Sequence, residues 1–346
     1  MVYHVQYPVG QGGFHLGIIG ESAYVYDCGS CQNNCCWDKI INSAVTELTT
    51  QNIKQLYVFI SHLHEDHYNH LSDFITKVPK NVQTIHLYMP PLEKIEQLML
   101  ICEHKIEKGD IDDRVYANLI IHQKFTDIDE SDRITYHYND SDIIIGNDII
   151  LLSMSTNVSN EDKIKFKENL KSKNIDFDKI ENITPAKMKE ICDVFKMTFK
   201  KKKIAHQIML VLYCGFSRHI THYCRYCFRN RGINWFHTGD ALMTSNRKQF
   251  KKIFAKFKNV LRNVNFAQIP HHASKSNSDY IFFNLFNCNC DFYYTTQENK
   301  NGFKQIVVPD KKLLASVSYG VYAVSDTDSS KICAPNCLTH RTRCPF

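Results

Sequence analysis

The stretch Ser61-His62-Leu63-His64-Glu65-Asp66-His67 constrains this chain more than any other. It follows Gln55 to Ile60, an apolar run that reads as a buried β-strand. Four side chains able to bind a metal through nitrogen or oxygen, those of His62, His64, Asp66 and His67, fall within six residues just past that strand. In extended chain His62 and His64 point the same way, because side chains alternate with a period of two. Asp66 and His67 lie past the bend and face a second point in space. The arrangement suits two neighbouring divalent metals, and it sets a metal-dependent hydrolase as the working idea.

The chain has 346 residues, enough for one large α/β domain or two ordinary ones. Hydrophobic residues at 43% and charged residues at 23% exclude overall disorder. No basic leader followed by an apolar stretch opens the chain, and no run of about 18 apolar residues occurs. The expectation is a cytoplasmic protein with no membrane span. Its 14 cysteines fall short of the ~8–10% share of small disulfide scaffolds, so free thiols are the default. The net charge of +6, from 42 basic and 36 acidic residues, is compatible with a polyanionic substrate without requiring one.

Taken in order, Phe14 to Ile19 and Ala23 to Tyr26 read as strands joined by a Gly20-Glu21-Ser22 hairpin turn. The second delivers Asp27, which either caps a turn or orients a metal-binding histidine from behind. The histidine cluster downstream favours the second role. Asp38 to Thr50 reads as a helix, and Asn81 to Met89 and Asp148 to Met154 as strands. Residues 160 to 203 read as amphipathic helices ending in Lys200-Lys201-Lys202-Lys203, a solvated helix end or a contact for phosphate. Ile204 to Tyr213 reads as a strand with His206 near its start. Ile233 to His237 leads to Thr238-Gly239-Asp240, and Asn265 to Ile269 leads to Pro270-His271-His272-Ala273-Ser274-Lys275. Phe292 to Thr296 and Gly320 to Ser325 are strand-like. No internal repeat shows in the residues. The expected organisation is one domain, residues 1–346, with a helical insertion at roughly 90–203 and a cysteine-containing tail at roughly 327–346.

His62-Leu63-His64-Glu65-Asp66-His67 resembles the His-x-His-x-Asp-His motif of the metallo-β-lactamase superfamily. Val9-Gly10-Gln11-Gly12, Tyr26-Asp27-Cys28-Gly29-Ser30, Thr238-Gly239-Asp240 and Pro270-His271-His272-Ala273-Ser274 resemble, in order, the branch typified by the hydrolase domain of the competence DNA-uptake channel protein. The chain departs from that branch at Gly13, where aspartate is usual, and at Ala273, where glycine is usual. The spacing from His67 to Asp240 is also long. The resemblance implies an α/β fold, the four-layer αββα sandwich, and two divalent metal ions. Imidazole and carboxylate donors suit Zn2+, and a site this rich in oxygen equally suits Mn2+. It further implies His62, His64 and His206 on the first metal, Asp66 and His67 on the second with His271 or His272, and Asp240 bridging the two. Two such ions lower the pKa of a water between them and hold developing negative charge, so the resulting hydroxide needs no serine or cysteine nucleophile. On this pattern Asp66 orients the hydroxide, while the spare histidine of the 271–272 pair, Ser274 or Lys275 contacts the scissile group.

A second constellation lies between Tyr213 and Ile233. Cys224-x-x-Cys227 with His219 or His222 has the makings of a small structural zinc site, against free thiols as the plainer reading. Cys28, Cys31, Cys35 and Cys36 form another cluster with the same plainer reading. Arg225 and its neighbouring arginines alternate with tyrosines, which suits single-stranded nucleic acid or a nucleotide, or a solvent-facing loop. The leading expectation is therefore a phosphodiesterase or nuclease acting on nucleic acid or a nucleotide-type substrate. A hydrolase of a carboxylic ester, lactone, thioester or amide is the alternative, since the same hydroxide attacks carbon or phosphorus. A metal-binding subunit of a larger assembly, such as a prokaryotic defence system, is the third. No membrane partner is expected.

Overall fold

Two seven-stranded sheets organise the computed structural model, which describes residues 2–31, 36–109, 119–125, 128, 132–145, 149–177, 184–200, 203–216, 234–244, 248–286, 290–296, 309–315, 320–326 and 330–335. The first sheet contains β1 (Val2–Gln6), β2 (Gly12–Ile19), β3 (Ser22–Ser30), β4 (Gln55–Phe59), β5 (Thr84–Tyr88) and β6 (Ile134–His137) in that order. The second contains β7 (Asp142–Ile145), β8 (Ile149–Ser155), β9 (Leu210–Phe216), β10 (Trp235–His237), β11 (Phe266–Gln268), β12 (Asp291–Thr295) and β13 (Val321–Val324), again side by side in chain order. A last strand, β14 (Ile332–Pro335), returns to the first sheet and pairs with β1.

The two sheets repeat one pairing pattern. From β14 through β1 and β2 to β3 the pairings are antiparallel, and from β3 to β6 they are parallel. From β7 to β10 they are antiparallel, and from β10 to β13 parallel. The residues themselves show no internal repeat. The repeat lies in backbone pairing, which many side-chain sequences satisfy equally.

Burial on both faces explains the layering. Along β3, Ala23 and Val25 enter one apolar cluster while Tyr24 and Tyr26 enter another. On β4, Leu56 and Val58 part from Tyr57 and Phe59 in the same way. On β9, Val211 and Tyr213 part from Leu210, Leu212 and Cys214. Successive side chains point to opposite faces, so each sheet needs an apolar partner on both sides. The inner faces meet each other, and helices cover the outer ones. Helix α1 (Trp37–Thr50) places Trp37, Ile40, Ile41, Ala44 and Leu48 against the first sheet, a stripe at helical spacing. Next come α2 (Glu65–Tyr68), α3 (Leu71–Lys77) and α4 (Lys94–Lys108), then α5 (Asn160–Ser172) and α6 (Pro185–Phe199). On the other side, α7 (Lys248–Phe257) packs Phe250, Ile253 and Phe257 against the second sheet. The result is the four-layer αββα sandwich of the α/β class.

A polar hub crosses the interface between the sheets. The hydroxyl of Tyr24 lies 3.3 Å from His4 Nδ1, 3.0 Å from His15 Nε2 and 3.1 Å from His237 Nε2, all fully or nearly fully buried. Tyr293 completes it, its hydroxyl 2.8 Å from His237 Nδ1.

Three expectations change. The segment 90–203, expected as a helical insertion with one strand at Asp148 to Met154, contributes β6 to the first sheet and β7 to the second besides that strand, β8, and α4, α5 and α6. His206 does not lie on a strand. Residues Ala205–Gln207 form a 3-10 turn, and β9 begins only at Leu210. The tail at 327–346 is part of the sheet where it is described, with Cys333 inside β14; Cys337, His340 and Cys344 lie outside the described residues. Among the described residues, no helix is long and apolar enough to cross a membrane.

Candidate metal centre

The parallel halves of both sheets deliver their chemistry at strand ends. After β4, Ile60 and Ser61 continue the buried chain into His62, and His64 caps the N-terminus of α2. Asp66 and His67 then sit in the first turn of that helix. The extended backbone before the helix brings His62 Nε2 to 3.0 Å from His64 Nδ1. After β10, Thr238-Gly239-Asp240 turns with Gly239 at φ +51°. A Cβ at Gly239 would stand 2.7 Å from that of Ser61, so only glycine lets the two strand ends approach this closely. The side-chain oxygen Oε1 of Gln268 accepts from the backbone amides of Thr238 (3.0 Å) and Gly239 (2.9 Å), fixing the turn. After β11, His271, His272 and Ala273 adopt consecutive left-handed conformations, with φ of 48°, 55° and 62°. Such strain in non-glycine residues persists only where the surroundings hold it, and it clusters at functional sites.

Two groups of ligand atoms result, each with its members within 4.8 Å of one another. One is His62, His64, His206 and Asp240; the other is Asp66, His67 and His272. Asp240 stands between them. Its Oδ2 lies 3.4 Å from His206 Nε2, 3.9 Å from His62 Nε2 and 3.6 Å from His271 Nε2, while Oδ1 lies 3.8 Å from His67 Nε2. The Asp66 carboxylate is 3.7 Å from the same His67 nitrogen. The structure thus places His272 in the second group and leaves His271 beside the first, 18% exposed, with its Nδ1 2.7 Å from Ser274 Oγ. Lys275 is exposed. His219, His222, Cys224, Cys227 and Arg225 lie outside the described residues. Of the other cysteine cluster, Cys28, Cys31 and Cys36 are free thiols, and Cys35 lies outside the described residues.

Behind the groups stands a layer of oriented partners. Asp27, fully buried, accepts from the Ser61 amide at 2.7 Å, the Ser61 hydroxyl at 2.8 Å and His67 Nδ1 at 2.7 Å. His272 Nδ1 faces Thr295 Oγ1 at 2.9 Å. The sequence reading gave Asp27 this orienting role and assigned none to Ser61, Gln268 or Thr295. Ser61 adjoins the first histidine at a strand end and was the readable one. Gln268 and Thr295 are ordinary strand-end residues whose role depends on neighbours far along the chain.

The electrostatics and the orphaned atoms test whether a cation fits. Burial, reinforced by neighbouring histidines, holds His62 and His206 well below the usual imidazole range. Burial likewise holds His64 at about 3 and His271 at about 4. Neutral imidazoles are the form that binds metal. Burial also opposes charge on His67, but Asp27, Asp66 and Asp240 outweigh it and lift its pKa to about 10. Burial raises the pKa of Asp240, a carboxylate in need of a counter-charge. The Nε2 atoms of His64 and His67 are buried with no hydrogen-bond partner. Unpaired buried nitrogens are costly in a folded protein, and that of His67 faces the carboxylates of Asp66 and Asp240 at 3.7 and 3.8 Å. Nitrogen and oxygen donors, neutral rings and crowded carboxylates together fit divalent cations.

No family model matches the chain, and no curated protein matches it. Among solved structures it is similar to the metallo-beta-lactamase fold protein YhfI from Bacillus subtilis, at 12% identity and TM-score 0.44, over 96% of this chain and 98% of that one. It is similar to unliganded yeast PDE1 at 9% identity and TM-score 0.42, over 92% and 93%. It is also similar to the short form of human tRNase Z (ELAC1) at 10% identity and TM-score 0.36, over 85% and 92%.

Proposed function

We propose that this chain, whose fold is that of the metallo-β-lactamase superfamily, is a metal-dependent hydrolase of phosphodiesters. The observation that carries the hydrolase reading is the shared carboxylate: Asp240 presents one oxygen to His62 and His206 and the other to His67. His62, His64, His206 and Asp240 would hold one divalent ion, and Asp66, His67 and His272 a second. Zn2+ suits the imidazole-rich first group, and Mn2+ also suits the carboxylate-bearing second. When bound, a pair of such ions supplies water of lowered pKa and neutralises the charge that develops on a phosphoryl group.

The protein's own residues supply the rest. Asp66, whose carboxylate is 17% exposed, is placed to accept a hydrogen bond from attacking water. His271, neutral at pH 7 and supported by Ser274, offers a hydrogen bond to the scissile group. Asp27 keeps His67 turned toward the site. The phosphodiester preference is supported by the cation at the rim. Burial sets the low pKa of His64, His206 and His271, and the Lys203 ammonium adds to the depression at all three. A cation this close to the site attracts an anionic substrate, nucleic acid or nucleotide, more than a neutral ester, while Asp66 acts in the opposite sense at His64 and His271.

The test is a substrate panel with Zn2+ or Mn2+: labelled single- and double-stranded DNA, RNA, bis-p-nitrophenyl phosphate and p-nitrophenyl acetate. Turnover of a phosphodiester that stops with chelator is expected. Hydrolysis of the acetate ester alone would sink the substrate class, and no turnover of any substrate would sink the enzyme reading.

A further inference from the structure

Helix α4 lies outside both ligand groups, yet one of its carboxylates reaches the segment that carries a ligand. Glu103 is 5% exposed, and its two oxygens accept from two consecutive amides, Ile204 N at 2.9 Å and Ala205 N at 2.8 Å. Those amides open the 3-10 turn Ala205–Gln207, whose middle residue is His206. The first N–H groups of any helical turn have no partner within it. Ile204 and Ala205 are themselves almost fully buried, so water does not supply one. A carboxylate suits this position because both its oxygens only accept; an amide side chain would set an N–H against an N–H.

The same face of α4 repeats the device. Glu96, two turns earlier, accepts from the Val158 amide at 3.0 Å and from Lys163 at 2.9 Å. Glu107, one turn later, pairs with Lys203, the residue before Ile204. Residues at these spacings share one side of a helix. The helix therefore grips both approaches to the second sheet: the segment after β8 and the segment before β9. Among members of the first ligand group, His206 alone precedes a strand rather than following one, so no strand end fixes it.

We propose that Glu103 is a positioning residue for His206: by holding the 204–207 turn it sets the affinity of the first ligand group for a divalent cation. The inference rests on the metal-binding reading above. It assigns a role to α4.

The experiment uses the full chain as wild type, Glu103→Gln, Glu103→Asp and His206→Ala. Each protein is stripped of metal and titrated with Zn2+ against a chromophoric chelator, and the visible absorption of the Co2+-loaded protein reports ligand geometry. Removing such outer partners typically lowers metal affinity about 10- to 100-fold. Glu103→Gln is expected to weaken by that factor the one binding event that His206→Ala removes, to leave the other event unchanged, and to alter the Co2+ spectrum. Glu103→Asp, which keeps two accepting oxygens on a shorter arm, is expected to recover part of the loss. Wild-type affinity at both events in Glu103→Gln overturns the proposal and leaves the metal centre standing. Equal weakening of both events, with wild-type circular dichroism, overturns it as well. A wild type that binds no Zn2+ overturns the metal reading and this inference with it. Should Glu103→Gln not fold, Glu103→Asp is read in its place by the same titration: weakening confined to the event that His206→Ala removes supports the proposal, and wild-type affinity at both events overturns it.

Discussion

His67 Nδ1 and Asp27 Oδ2 lie 2.7 Å apart, and neither side chain has any solvent exposure. The contact fixes which ring nitrogen of His67 carries hydrogen and aims Nε2 at Asp66 and Asp240. Asp27 also takes both polar atoms of Ser61, so one carboxylate ties the end of β4 to the start of α2. Asp27→Asn replaces one acceptor oxygen by an N–H2 facing donors. It is expected to lower zinc affinity at the second ligand group by about 10- to 100-fold, read by chelator titration. Unchanged affinity would detach Asp27 from the site.

The metals themselves should stabilise the fold. Three carboxylates, those of Asp27, Asp66 and Asp240, act on His67, and the buried Nε2 atoms of His64 and His67 have no hydrogen-bond partner. A cation that binds only the folded state at 100 times its Kd adds about 2.7 kcal/mol. Chelator is therefore expected to lower the melting temperature, and Zn2+ to restore it. His64→Ala and Asp240→Ala should each lower bound metal by elemental analysis, Asp240→Ala at both groups because its oxygens face both. Full metal content in both variants would show the ligand set to be wrong.

Gly12 belongs to the Val9-Gly10-Gln11-Gly12 stretch and shows why that stretch matters. At φ +137° it faces α2 and β3, and a Cβ there would stand 2.5 Å from the Asp66 carbonyl oxygen and 2.3 Å from that of Gly29. Gly12→Ala is expected to destabilise the protein by about 2–5 kcal/mol, from backbone strain and overpacking together. Because the displaced atom belongs to Asp66, metal affinity should fall in the same variant. Wild-type urea midpoint and metal affinity would refute this.

Most of this architecture was readable from local pattern. Gln55 to Ile60, Asp38 to Thr50 and the β2–β3 hairpin declare themselves through apolar runs, helical spacing and turn residues, and the structure has an element at each. His62, His64, Asp66 and His67 were legible because the chain compresses them into six residues. Asp240 and the His271-His272 pair were legible once strands were seen to end in them. His206 was misplaced on a strand because its apolar neighbours Ile204 and Ala205 mimic one; the carboxylate that bends them into a turn lies a hundred residues earlier. The choice between His271 and His272 was not legible, since left-handed backbone at both residues decides which ring faces Asp66. Nor were β6 and β7, four-residue strands whose place depends on partners in distant sequence, whereas the strand read at Asp148 to Met154 is β8.

The hub around Tyr24 predicts how stability depends on pH. Burial depresses His15 and His237 well below the ordinary histidine pKa, so both are neutral in the folded protein while the unfolded chain titrates near 6.5. Above 6.5 neither form binds the extra protons and stability is at its full value. As pH falls below 6.5 the unfolded chain takes up protons that the folded one refuses, and stability is lost. Each histidine contributes a slope of about 1.4 kcal/mol per pH unit in that window. Urea denaturation of metal-free protein between pH 7.5 and 5 should show a falling midpoint. Tyr24→Phe removes the hydroxyl on which three buried nitrogens converge and should cost about 3 kcal/mol at pH 7. A midpoint flat down to pH 5 would contradict neutral burial of these rings.

Lys203 offers the sharpest separation of anionic from neutral substrates. It is exposed, pairs with Glu107, and its charge is felt at His64, His206 and His271 on both sides of the first ligand group. If the substrate is a phosphodiester, Lys203→Ala removes an attraction made mainly on approach and binding. A partly exposed charge of this kind is worth up to about 1 kcal/mol, or roughly fivefold. The expected result is a KM for bis-p-nitrophenyl phosphate raised a few-fold with kcat nearly constant, both measured with metal in saturating excess. The effect should shrink as salt rises toward 1 M, where the screening length falls to about 3 Å. Lys203→Met keeps an apolar stem without the charge and should behave like the alanine variant, whereas Lys203→Arg should restore wild-type KM. An unchanged KM in Lys203→Ala at low salt would remove the electrostatic argument for a phosphodiester and return the carboxylic ester to equal standing.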